Sequence, residues 1–256
     1  PLSESPYRAH QGTLHHARDL TRALGSLLHT GKLAGLRRLE LGGSLAGSAS
    51  LPTLIETLPL VLSQSIERLE ELRLSGRGFT DEALAQLLEA PSTRHLRELD
   101  LSHTGMGPAC CEALAATPRP DLRRLCAVYC SIDARSFTAL TQAPLPSLRH
   151  LEIPSNELGD DIAGALARAG WLDHLHTLSL RRSRLGERSA HALAARHLGA
   201  LRELDLSCND LDDAALEAIA DASWIGRLER LDLGMNPASD AALFFFNDTA
   251  TTEIYT

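Results

Sequence analysis

Apolar residues recur along this chain in one block, Leu-x-x-Leu-x-apolar, whose copies begin at Leu36, Leu69, Leu96, Leu122, Leu148, Leu175, Leu201 and Leu228. The first interval is 33 residues and every later one is 26 or 27. A fixed period of that size is the mark of a repeat solenoid. In the copy Leu201-Arg-Glu-Leu204-Asp-Leu206, the alternation across 204 to 206 predicts a short strand with one buried face. Past Leu211, apolar residues at Leu216, Ile219 and Ala220 stand three and four apart, as on one face of a helix, with Asp212 or Asp213 placed to cap it. One unit is therefore a strand, a turn and a helix, and it buries both inner faces only by stacking on its neighbours.

The other copies follow the scheme. Leu69 to Leu74 leads through Phe79 to a helix over 81–90, Leu96 to Leu101 through Met106 to one over 109–116, and Leu148 to Ile153 through Leu158 to one over 160–169. The copy at Leu122 is the weakest strand, because Ala127 stands where the third large apolar residue belongs. Aromatic residues make up 4% of the chain, so the core must be built from stacked Leu and Ala. Each buried Leu contributes roughly 1.5–3 kcal/mol, and truncation to Ala costs about 2–5 kcal/mol.

These blocks resemble the leucine-rich repeat family over residues 36–243, with a period and helical half-repeat similar to its ribonuclease-inhibitor and cysteine-containing subclasses. The resemblance implies an α/β solenoid, a right-handed horseshoe with parallel strands on the concave face and helices on the convex face. It also implies a polar ladder three residues past the last apolar strand position, whose side chains bond backbone between adjacent turns. That position holds Ser44, Arg77, Thr104, Cys130, Asn156, Ser183, Asn209 and Asn236. Arg77 departs from the Asn/Cys/Thr pattern, so the ladder is expected to break there.

Both ends depart from the repeat. Leu14, Ala17, Leu20, Leu24, Leu27 and Leu28 form a helical stripe within residues 1–35, expected to be a preceding repeat helix or an N-terminal cap. The first unit is long and contains Pro52 and Pro59, so its loop is expected to be enlarged. After Leu243 the phase is lost, and no strand is expected near 254. Residues 247–256 can be written as AAT GAT ACG GCG ACC ACC GAG ATC TAC AC(T), which resembles the constant adapter oligonucleotide of short-read sequencing. Residues 244–256 are therefore expected to be a non-native tail and the chain a fragment, with uncapped apolar ends that favour self-association.

Candidate chemistry is sparse. Gly25 to Leu33 glances at a phosphate loop but has five residues between its glycines, and Leu33 replaces the hydroxyl that would hold magnesium. Cys126 and Cys130, near His103 and Tyr129, suggest a metal site, yet by register Cys130 points inward and Cys126 outward. No cofactor, metal or catalytic residue is expected. A formal charge of −8, or −6 without Asp248 and Glu253, disfavours nucleic acid as the partner. No apolar run suits a membrane. Five Cys without a disulfide-cap arrangement suggest reduced thiols and a cytoplasmic setting.

What remains is a surface. Stacking aligns the outward strand residues into columns: Arg38, Glu71, Glu98, Arg124, His150, Thr177, Glu203, Arg230, and beside them Glu40, Arg73, Asp100, Cys126, Glu152, Ser179, Asp205, Asp232. A third runs Gly42, Ser75, Ser102, Val128, Pro154, Arg181, Ser207, Gly234. The fourth repeat places Cys126, Val128 and Tyr129 on a face otherwise polar, the profile of an interface centre rimmed by charge. Candidate partner-binding residues are Arg73, Asp100, His103, Arg124, Cys126, Val128, Tyr129, His150, Glu152, Arg181, Arg182, Asp205 and Asp232. The expected function is non-catalytic binding of another protein, the alternative being the substrate-recognition arm of a multidomain enzyme of ligase, kinase or GTPase-activating type.

Overall fold

A computed structural model of the chain describes residues 34–42, 58–59, 62, 66–246 and 253–255. The expected N-terminal helical stripe, the phosphate-loop look-alike, Ser44, Pro52 and Asn247 lie outside them. The strands β1 (Arg38–Leu41), β2 (Glu71–Leu74), β3 (Glu98–Asp100), β4 (Arg124–Cys126), β5 (His150–Glu152), β6 (Thr177–Ser179), β7 (Glu203–Asp205) and β8 (Arg230–Asp232) form one parallel sheet in chain order. Between them run the helices α1 (Asp81–Glu89), α2 (Pro108–Ala116), α3 (Ala134–Thr141), α4 (Ala163–Arg168), α5 (Glu187–Ala194) and α6 (Asp213–Ala220). Packed helices need 8–10 Å between axes and paired strands about 4.8 Å. The helices thus take the outside of the curve and the sheet the inside.

The register is the one the repeat dictates. Leu72, Leu99, Leu125, Leu151, Leu178, Leu204 and Leu231 pair in sequence, and all are buried. Ala127 is also buried, so the weakest copy still forms its strand. Trp171 and Trp224 fill the helix layer, each donating its indole N–H to a carbonyl one repeat back, Leu140 and Leu193 respectively.

The ladder is present from the third repeat onward. Asn156 is its clearest rung: Oδ1 accepts from the N–H groups of Cys130 and Ile132 (both 3.0 Å), and Nδ2 donates to the carbonyls of Ala127 (2.8 Å) and Ile153 (2.9 Å). Asn209 repeats the arrangement with Ser183, Leu185, Leu180 and Leu206, and Asn236 does so with Asn209, Leu211, Leu206 and Leu233. Arg77 contributes no rung. Its side chain is exposed and turned toward Tyr129.

A second inter-repeat device was not legible as such. Asp212 caps its own helix by accepting from Ala215 N–H, whereas Asp213 reaches forward to the N–H and hydroxyl of Ser239. Asp81 likewise accepts from the N–H groups of Gly107, Ala109 and Cys110 at the start of α2, and Asp160 from those of Gly186, Arg188 and Ser189 at the start of α5. A carboxylate at a helix N-terminus satisfies donors that the helix itself leaves open. Burial would raise the Asp160 pKa, but these hydrogen bonds outweigh it and hold the carboxyl below its ordinary value.

One expectation about the C-terminus is corrected. Residues Glu253–Tyr255 form β9, parallel to β8, with Leu231 opposite Ile254. The edge of a parallel sheet offers a row of unpaired N–H and C=O groups to any extended segment, so pairing there does not require the repeat signature.

Candidate functional site

The strand register assembles the outward columns as the spacing implied, Arg38 beside Glu71 through to Arg230, and Glu40 beside Arg73 through to Asp232. Many of these charges are occupied. Arg38 meets Glu71 at 2.9 Å, Arg73 meets Glu98 at 3.2 Å and Arg124 meets Glu152 at 2.7 Å, each across one strand interval. Asp100, Asp205 and Asp232 each accept from the backbone N–H two residues on, at Ser102, Ser207 and Gly234. This turn ends the strand, so three of the candidate carboxylates also have a structural task. His150 lies edge-on to His176 and shares a hydrogen bond with Thr177; burial first, then Arg124 and His176, lowers its pKa.

Cys126 is a correction. It occupies the outward column but is only 7% exposed, because the Arg124 side chain folds back over it with Nε 3.3 Å from the sulfur. The apolar centre of the fourth repeat therefore consists of half-buried Val128 and Tyr129, which is 54% exposed. Cys130 points inward as expected, its thiol donating to Leu101 O at 3.0 Å, so the two sulfurs serve different surroundings. Among the described residues, no three His, Cys, Asp or Glu side chains converge as a metal site would require.

Just past strands β2 to β8 lies a column that strand patterning does not reveal. His103, Tyr129, Ser155, Arg182, Cys208 and Met235 all have φ between 52° and 62°, and Gly76 in the second repeat has φ 126°. Left-handed backbone is uncommon outside glycine, yet here six different side chains share it. The turn directs these side chains to the rim of the sheet. Tyr129 gathers its neighbours there: its ring centroid is 6.0 Å from that of His103 and 5.6 Å from the Arg77 guanidinium carbon. Arg77, Cys208 and Met235 were not among the sequence candidates. For Cys208 and Met235 the signal that could have found them is their fixed offset from the strand, not their chemistry; Arg77 stands one residue further on, at the ladder position.

All five cysteines are unpaired, and they divide sharply. Burial raises the thiol pKa of Cys110, Cys111, Cys126 and Cys130, whereas Cys208 is partly exposed, its sulfur 3.7 Å from that of Met235. Thiolate is the reactive form, so a chromogenic disulfide reagent is expected to titrate one thiol rapidly in native protein and all five in denaturant. Fast native reaction of two or more thiols would contradict the packing described.

No described helix is long and apolar enough to cross a membrane. A family model described as "Leucine Rich repeat" matches residues 93–115, 145–167 and 201–220. The human protein "NACHT, LRR and PYD domains-containing protein 12" is 34% identical over 202 residues, covering 73% of this chain and 18% of its own length. The pig protein "Ribonuclease inhibitor" is 32% identical over 176 residues, covering 64% of this chain and 37% of its own. The chain thus spans well under half of either relative. Among solved structures, the Rad7–Elc1 complex in yeast aligns over 90% of this chain and 70% of that one, with TM-score 0.47 and 18% identity. With its register, ladder and sequence kinship in agreement, the chain is a leucine-rich repeat protein of the ribonuclease-inhibitor type.

Proposed function

We propose that this chain is a non-catalytic protein-binding module that engages its partner through the inner sheet face and adjoining rim, centred on Tyr129. The observation that carries this reading is an exposed tyrosine flanked by His103 and Arg77, set above a sheet whose outward residues are mostly polar and charged. Aromatic residues and arginine are the usual anchors of interfaces, and rim charge adds orientation and association rate. The unpaired thiols suit a reducing, cytoplasmic setting. One relative is named for inhibiting a ribonuclease, which supports a protein as the ligand class.

A photo-crosslinking residue at Tyr129 is expected to trap discrete protein adducts, while the same residue at Glu82, exposed on α1, traps none. For the partner so captured, Tyr129→Ala is expected to weaken binding by tenfold or more, about 1.4 kcal/mol. Arg202→Ala, which removes a side chain bonded to the carbonyls of Gly199 and Leu201, should change affinity less than about twofold. Neither melting temperature should move appreciably. Equal losses from both changes, or adducts from Glu82 alone, would end this assignment.

A second reading follows from coverage. Because the chain spans 18% and 37% of two relatives, the same surface would serve equally as the substrate-recognition arm of a larger enzyme. Binding would then be this segment's share of the work and chemistry would lie elsewhere.

A further inference from the structure

Two shallow hollows lie along the rim. The first, of 390 Å³, is lined by Arg77, Tyr129, Ser131, Ser155 and Glu157 among others. The second, of 660 Å³, is lined by Val128, Pro154, Ser155, Arg181, Arg182 and Met235 among others. Ser155 belongs to both walls, so the two hollows adjoin and together line a rim groove that crosses the repeats. From β2 to β8 there are six strand intervals of about 4.8 Å, a run of about 29 Å, which matches about nine residues of extended chain.

The walls of this groove have a definite chemistry. Tyr129 and Met235 are two of the three large apolar side chains left exposed among the described residues, at 54% and 82%, and both occupy the left-handed column. Val128, beside Tyr129 in the fourth repeat, and Pro154 in the fifth add apolar surface. Arg38, Arg73 and Arg124 on the sheet are each committed to a glutamate, but Arg181 and Arg182 form no ion pair or side-chain hydrogen bond with any described residue. No carboxylate lines the second hollow; Glu157 lines only the first. The adjacent sheet face is predominantly acidic instead, with Glu152, Glu203, Asp205 and Asp232 against the cation Arg230 around a separate 270 Å³ hollow.

We propose that the rim groove receives an extended, acidic–aliphatic segment of a partner protein, with carboxylates on Arg181 and Arg182 and aliphatic side chains against Val128, Pro154 and Met235. This rests on the protein-binding reading and deepens it by naming the kind of segment held. Unpaired guanidinium groups recognise carboxylates through two parallel N–H donors. The carboxylates on the sheet beside them disfavour an acidic segment there, so this part of the partner is held at the rim. A basic segment would make the opposite choice.

Selection of random nonapeptides displayed on phage against the folded protein tests the assignment, followed by fluorescence anisotropy of the enriched peptides. Expected are sequences in which Asp or Glu stands beside Leu, Ile or Met. Their affinity should fall at least tenfold in the Arg181→Glu, Arg182→Glu double variant and in Met235→Asp, fall less in the double Gln variant, and be untouched by Glu203→Lys. All these positions are exposed, so unchanged melting curves are required of every variant. Enrichment of lysine- or arginine-rich peptides that lose affinity with Glu203→Lys would overturn the rim proposal while leaving protein binding intact. Failure to enrich any sequence, or binding indifferent to every variant, would also overturn it. The crosslinks from position 129 judge the broader reading separately.

Discussion

Asn156→Ala is expected to cost on the order of 4 kcal/mol of unfolding free energy, as much as removing a core leucine. The size follows from what the side chain does: it satisfies two N–H groups and two carbonyls in the buried turns of adjacent repeats, at 2.8–3.0 Å. An orphaned buried polar group costs about 1–3 kcal/mol, partly recovered where water enters the space left behind. Asn156→Asp should be worse, since it keeps both acceptor roles but sets a carboxylate against the Ala127 and Ile153 carbonyls. Asn156→Thr should be milder, because Thr104 occupies the same position two repeats earlier and donates to Leu101 O.

Solenoid stability is approximately a sum of repeat and nearest-neighbour terms. Weakening the junction between the fourth and fifth repeats should therefore also uncouple the two halves. Urea unfolding followed by circular dichroism is expected to show an earlier and broader transition for Asn156→Ala. A loss below about 1 kcal/mol with an unchanged slope would mean that the rung contributes little beyond the strands it joins.

Sequence reasoning reached this rung because a period of 26 or 27 fixes both which residue pairs with which and which side chain turns inward. The same logic yielded both outward columns, since strand register is set once the leucines are. It stopped where position no longer reveals conformation. Cys126 sits at an outward position, yet its exposure depends on where the longer Arg124 side chain lies. Asp81 and Asp160 look like caps for their own helices and instead cap the helix of the next repeat. The left-handed column escaped notice for a related reason: His, Tyr, Ser, Arg, Cys and Met share a backbone requirement that none of them advertises.

Arg119 is the residue that no pattern could have placed, and it gives the second large effect. It follows α2, within Thr117-Pro-Arg-Pro120, and is fully buried. Its guanidinium donates to Leu88 O at the end of α1 (2.6 Å) and to Thr117 O (2.9 Å), while Nε has no partner and no carboxylate is bonded to it. Burial lowers its pKa to about 10, with Arg94 adding to the effect and Cys110 opposing it. A base whose folded pKa lies below its unfolded value is charged at a cost: stability rises only as pH climbs past about 10 toward the ordinary arginine value, and at pH 7 the whole penalty applies, ~3 kcal/mol.

Two terms then compete on substitution. Arg119→Ala removes the charge but opens a large cavity, which costs about 2–5 kcal/mol, and Leu88 O keeps only the Thr93 hydroxyl at 3.1 Å. The cavity is expected to dominate or nearly cancel the relief, so the alanine variant should melt lower or unchanged. Arg119→Met keeps most of the volume and removes the charge, and replacing a buried ion by a well-packed apolar side chain is often stabilising by 1–4 kcal/mol. The methionine variant is therefore expected to melt above the parent, by several degrees for a chain of this size. If Arg119→Met instead falls as far as Arg119→Ala, the bonds to Leu88 and Thr117 outweigh desolvation, and the arginine is a clasp that joins consecutive repeats at net gain.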